Sequence, residues 1–91
     1  MATETVSDLV ALALRTVSRP YPPDVTDRVC QAIESDPTWL DMYNDMVADM
    51  GRHAVNSTIG RTVLTMTGLR NSGIRHEARS SLINSYTVLV G

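Results

Sequence analysis

Ninety-one residues, 43% apolar and 20% charged, describe one folded domain with a modest core and argue against a disordered chain. The formal net charge is −2, Phe is absent, and every basic side chain other than histidine is an arginine. A lone cysteine, Cys30, excludes an intramolecular disulfide and a cysteine-built zinc site. No apolar run approaches the ~20 residues that a membrane span needs. With no basic-then-apolar leader either, the expectation is a cytoplasmic domain spanning residues 1–91 with no membrane association.

The small net charge hides a division. Residues 1–50 hold nine acids against three arginines, a balance of −6, whereas residues 51–91 hold five arginines against Glu77, a balance of +4. Such polarity can be satisfied within one fold, across copies of the chain, or by an anionic partner.

The first three residues are expected to fray. From 4 to 18, Val6, Leu9, Val10, Ala13, Leu14 and Val17 recur at helical spacing, and Thr5 with Asp8 resembles a capping box. Arg19-Pro20 ends this helix, because the residue before proline is driven out of the α region. The stretch 20–23 is a stiff connector. A second helix is expected over 24–35, capped by Asp24, with Val25, Val29, Ala32 and Ile33 as its stripe and Cys30 beside it.

Residues 37–51 carry the strongest pattern. Asp36 suits the cap, Pro37 the first helical position and Gly51 the stop. Trp39, Leu40, Tyr43, Met46, Val47 and Met50 fall on one face, with Asp41, Asn44, Asp45, Ala48 and Asp49 on the other. A break is expected between 51 and 57, and Asn56 or Ser57 would cap a fourth helix running to about 67. Its β-branched threonines make a strand at 62–67 the competing assignment. Residues 68–73 read as a loop on composition. A fifth helix is expected over 76–90, with a strand at 86–90 as its competitor. The expected fold is therefore all-α, a compact bundle of four or five short helices with room for a minor β element near 62–67 or 86–90.

Two constellations could carry recognition. Asp41, Asp45 and Asp49 form a row at i, i+4 spacing that asks for a basic partner, and Met42 lies at its edge as an adaptable apolar contact. His53 would extend the row if the helix continued. A single row rarely surrounds a metal ion, so no metal is assigned. Arg61, Arg70, Arg75, His76 and Arg79 surround the 68–73 segment, where arginine forks could hold phosphate oxygens. Residues 47–67 also admit a helix-turn-helix reading, with Arg52, His53, Asn56, Ser57, Thr58 and Arg61 facing nucleic acid; the acidic total counts against it. No catalytic residue or cofactor is assigned. The expected function is a small non-catalytic binding or regulatory protein acting by protein–protein contact, such as an inhibitor or accessory factor of a mobile element, and self-associating. The alternative is an anion-binding module for nucleic acid or a nucleotide signal.

Overall fold

In the computed structural model, which describes residues 5–91, the chain forms α1 (Val6–Leu14), α2 (Val25–Ser35), α3 (Pro37–Met50), α4 (Arg52–Thr67), β1 (Arg70–Glu77) and β2 (Ser85–Val90). The expected fraying of the first three residues lies outside the described residues. Thr5 caps α1 as its spacing implies: its Oγ1 accepts from Asp8 N at 3.1 Å, and the Asp8 carboxylate accepts from Thr5 N at 3.0 Å. α1 stops at Leu14 rather than near residue 18, and the amides of Thr16 and Val17 turn back onto the carbonyls of Ala13 and Leu14. In α2 the stripe Val25, Val29 and Ile33 is fully buried together with Cys30. Asp24 holds the N-cap position of α2 as expected, but its carboxylate bonds no first-turn amide and accepts instead from Arg28 Nε at 2.7 Å.

The bounds of α3 match their signals. The Asp36 carboxylate accepts from Thr38 N at 2.9 Å and Trp39 N at 3.1 Å, Pro37 opens the helix, and Gly51 closes it with φ +88°. Its apolar face is narrower than the wheel suggests. Tyr43 and Met46 are buried, Trp39, Leu40 and Val47 are half-buried, and Met50 is 47% exposed.

Gly51 alone separates α3 from α4, so the fourth helix begins at Arg52, ahead of the caps expected at Asn56 or Ser57, and has no side-chain cap of its own. The strand considered for 62–67 is helical. Its threonines are accommodated by bonding back along the helix: Thr65 Oγ1 donates to Arg61 O at 3.0 Å and Thr67 Oγ1 to Val63 O at 2.8 Å. Gly68, left-handed at φ +70°, ends the helix.

Beyond Gly68 the all-α expectation is corrected, and the minor β element it left room for is found at the C-terminal of its two candidate places. The 68–73 loop and the 76–90 helix are replaced by an antiparallel hairpin, and residues 86–90 are strand, as the competing assignment had it. Arg70 pairs with Val90, Asn71 with Leu89, Arg75 with Thr87, His76 with Tyr86 and Glu77 with Ser85. Between the two registers Ser72, Gly73 and Ile74 bulge opposite Val88. Gly73 supplies the positive φ of +78°, and Asn71 Oδ1 accepts from its amide at 2.7 Å.

The hairpin is anchored through β2 and the turn before it. Leu82 and Leu89 are buried with the helical core, and Leu89 N donates to Pro23 O at 3.1 Å. Asp27, only 1% exposed, accepts from Ser80 N at 3.0 Å, Arg79 N at 3.2 Å and Gln31 Nε2 at 3.0 Å. Glu34 accepts from the amide and hydroxyl of Ser81. From the other side, Arg52 and Asn56 converge on the Leu82 carbonyl, at 2.8 Å from Arg52 Nη2 and 3.0 Å from Asn56 Nδ2. No helix among the described residues is long and apolar enough to cross a membrane.

Candidate functional site

α4 presents two faces. Val55, Ile59 and Val63 point into the core. A second stripe, His53, Asn56, Ser57, Gly60, Arg61 and Leu64, lies along a cleft of about 520 Å³ between this helix and the hairpin. The opposite wall is built by Asn71 and Arg75 from β1, Ser85, Tyr86 and Thr87 from β2, and Ile83 and Asn84 from the turn. Half-buried Leu64 and Ile83 contribute apolar surface, and polar groups cluster around it. The residues lining the cleft include two arginines and a histidine and not one carboxylate.

The two guanidiniums are held from below by hydroxyls, with no acid involved. Arg61 Nη2 donates to Thr58 Oγ1 at 3.3 Å, and Arg75 Nη2 donates to Ser85 Oγ at 2.7 Å. Each fork keeps further N–H groups directed at solvent, because both side chains are exposed. Asn56 is fixed by the core: Tyr43 Oη donates to its Oδ1 at 2.7 Å while its Nδ2 donates to Leu82 O. Burial raises the Tyr43 phenol above its ordinary value, against the opposing pull of Arg52.

The five residues proposed from sequence as an anion site are only partly brought together. Arg61 and Arg75 face one cleft. Arg70 lies at the far end of β1, where its Nη2 donates to Gly91 O at 2.9 Å. His76 is not among the residues lining the cleft; it pairs with Tyr86 across the hairpin, and the two rings meet edge-on at 5.9 Å between centroids. Arg79 sits in the turn, with its backbone amide on Asp27. Of the nucleic-acid contacts considered for a helix-turn-helix, His53, Asn56, Ser57 and Arg61 line the cleft. Arg52 is spent on the carbonyls of Ser81 and Leu82, and Thr58 on Ala54 O. A one-residue link at Gly51 is also shorter than the three or four residues of a helix-turn-helix turn. Gly60, Asn71, Asn84 and Tyr86 escaped the sequence reading because their partners in the cleft come from a hairpin that was read as loop and helix.

The acidic row lies elsewhere. Asp41, Asp45 and Asp49 are exposed along α3, and Met42 is half-buried against the core. His53 does not extend the row, since Gly51 breaks the helix before it. Among the described residues the one ion pair joins Arg28 to Asp24, so the two charge halves do not pair side chain to side chain. Acids of the first half do bond the second half, through the amides of residues 79–81. No group of three or more His, Cys, Asp or Glu among the described residues could hold a metal ion. Cys30 is fully buried, and desolvation, with Asp27 and Glu34 nearby, pushes its thiol up to about 12. No protein-family model matches the chain, and comparison with curated proteins and with solved structures returned no match.

Proposed function

We propose that this chain is a small non-catalytic binding protein of the cytoplasm that recognises an anionic group through the cleft between α4 and the hairpin. The observation that carries this reading is the lining itself: Arg61, Arg75 and His53 around one cavity that no carboxylate enters, in a protein whose net charge is negative. Guanidinium forks bind phosphate and carboxylate oxygens in pairs, and partial exclusion of water strengthens the attraction. A non-catalytic role fits the thiol of Cys30, which is protonated and buried, far from a nucleophile's state. The lone buried cysteine also suits a reducing compartment.

The test is titration calorimetry of the full chain with tripolyphosphate as probe. Binding is expected at low salt and should weaken as salt rises. Arg61→Ala with Arg75→Ala should abolish it, whereas Arg70→Ala, which removes a guanidinium already committed to Gly91 O, should leave it intact. Equal binding by the double variant would sink the reading.

A second reading is favoured by one specific observation. Asp41, Asp45 and Asp49 stand exposed with no basic partner among the described residues, next to the exposed Met50. Such a face supports contact with a basic protein surface, a second copy of the chain included, and so the role of a regulator or inhibitor. Light scattering of the chain and of an Asp45→Asn, Asp49→Asn variant separates self-association from a monomer.

A further inference from the structure

Three of the five glycines have backbone reasons to be glycine: Gly51, Gly68 and Gly73 all have positive φ, and Gly91 is the last residue. Gly60 has none. It lies in the middle of α4 with ordinary helical backbone, where glycine is a poor helix former, and a Cβ built there would meet nothing within 4 Å. Neither conformation nor packing within the chain calls for it. What Gly60 does is line the cleft, one residue before Arg61 and between the turns that carry Ser57 and Leu64. A missing side chain there leaves a flat strip of bare helix backbone on the wall, close to a guanidinium.

We propose that the cleft takes a nucleoside phosphate, with the planar heterocycle laid against the Gly60 backbone and the phosphate held between Arg61 and Arg75; this rests on the anion-binding reading above. The other features match that ligand. A volume of about 520 Å³ lies in the range of small-molecule sites. Ile83 and Leu64 offer apolar surface to a ring, and the Asn84 carboxamide, with the Nδ2 of Asn71 whose Oδ1 accepts from Gly73 N, suits the donor and acceptor edges of a base. An elongated polyanion would have no use for a bare patch on one wall, and a small inorganic anion would not fill the cavity.

The test compares wild type with Gly60→Ala, using purine and pyrimidine nucleoside monophosphates, the matching nucleosides, and tripolyphosphate as a probe without a ring. Ligand-free Gly60→Ala is expected to melt about 5 °C higher, because alanine is the better helix former and meets no neighbour. The same substitution should weaken the preferred nucleoside monophosphate at least about tenfold while tripolyphosphate affinity changes by less than about twofold. Arg61→Ala should weaken both. If tripolyphosphate binds and no nucleoside monophosphate binds more tightly, or if Gly60→Ala binds nucleotides as wild type does, the nucleotide inference falls and the anion site stands. If Gly60→Ala changes only the solution mass, the bare strip serves helix contact between copies and the inference also falls. If neither phosphate probe binds wild type, both readings fail together.

Discussion

At the scale of single residues, two buried groups of α2 carry testable consequences. Cys30 is an apolar-packed thiol whose ionisation burial resists, so that its ordinary value of 9.0 is pushed up to about 12. The folded state therefore disfavours the thiolate. Stability from this residue is fully present below pH 9.0 and declines as pH climbs toward 12, since the unfolded thiol ionises first. At pH 8 the native thiol should resist alkylation by iodoacetamide, and labelling should proceed at the rate of unfolding, reaching that of a free thiol only in denaturant. Asp27 is a buried acid that its neighbours solvate by hydrogen bonds: two amides of the 79–82 turn and the Gln31 carboxamide stand in for water. Asp27→Ala leaves those amides without their acceptor. Urea denaturation should show a loss of about 2–3 kcal/mol, in the range for removing a charged acceptor from buried donors.

At the scale of elements, α3 was legible nearly to the residue because cap, first-turn proline and terminal glycine agree with one another and with the apolar period. Asp36→Ala removes both amide contacts of the cap and should cost about 1 kcal/mol, seen as a fall in Tm of about 4–8 °C. The hairpin was not legible, for reasons that lie in particular residues. Gly68 and Gly73 sit close enough in sequence to read as one loop, yet Gly68 ends α4 and Gly73 serves a bulge inside β1. Ala78, Leu82, Ile83, Tyr86, Leu89 and Val90 fall at helical spacing by coincidence: of these only Leu82 and Leu89 are buried, one from a turn and one from a strand. Strand propensity at Thr87, Val88 and Val90 was the better signal there. The candidate site was half legible for the same reason. Its α4 residues could be read from one helix face, but which arginine of the C-terminal third would face them depends on strand register. A shift of one residue in β1 changes the sheet face, and sequence spacing alone does not say that Arg75 lines the cleft while His76 does not.

At the scale of the whole molecule, the helices and the hairpin share one core. Leu82 and Leu89 are buried among α-helical side chains, and the polar contacts that surround them are reciprocal: α2 supplies acceptors to the turn's amides, and α4 supplies donors to its carbonyls. A chain cut after Gly68 would lose both leucines and leave Asp27 and Asn56 facing the vacated space. Each leucine lost from a core costs about 2–5 kcal/mol, and the buried carboxylate would have to be hydrated anew. Small domains hold about 5–15 kcal/mol in reserve, so the two leucines and Asp27 together consume most or all of it. The expected outcome is that residues 1–68 do not unfold cooperatively in urea, and that their far-UV circular dichroism is weaker per residue than that of the full chain. A cooperative transition from this fragment would mean that the four helices form a self-sufficient bundle onto which the hairpin is merely added. The cleft would then be a joint between two units. With the hairpin built into the core, as these contacts require, Arg75 and Arg61 are kept on one cleft by the same packing that folds the protein.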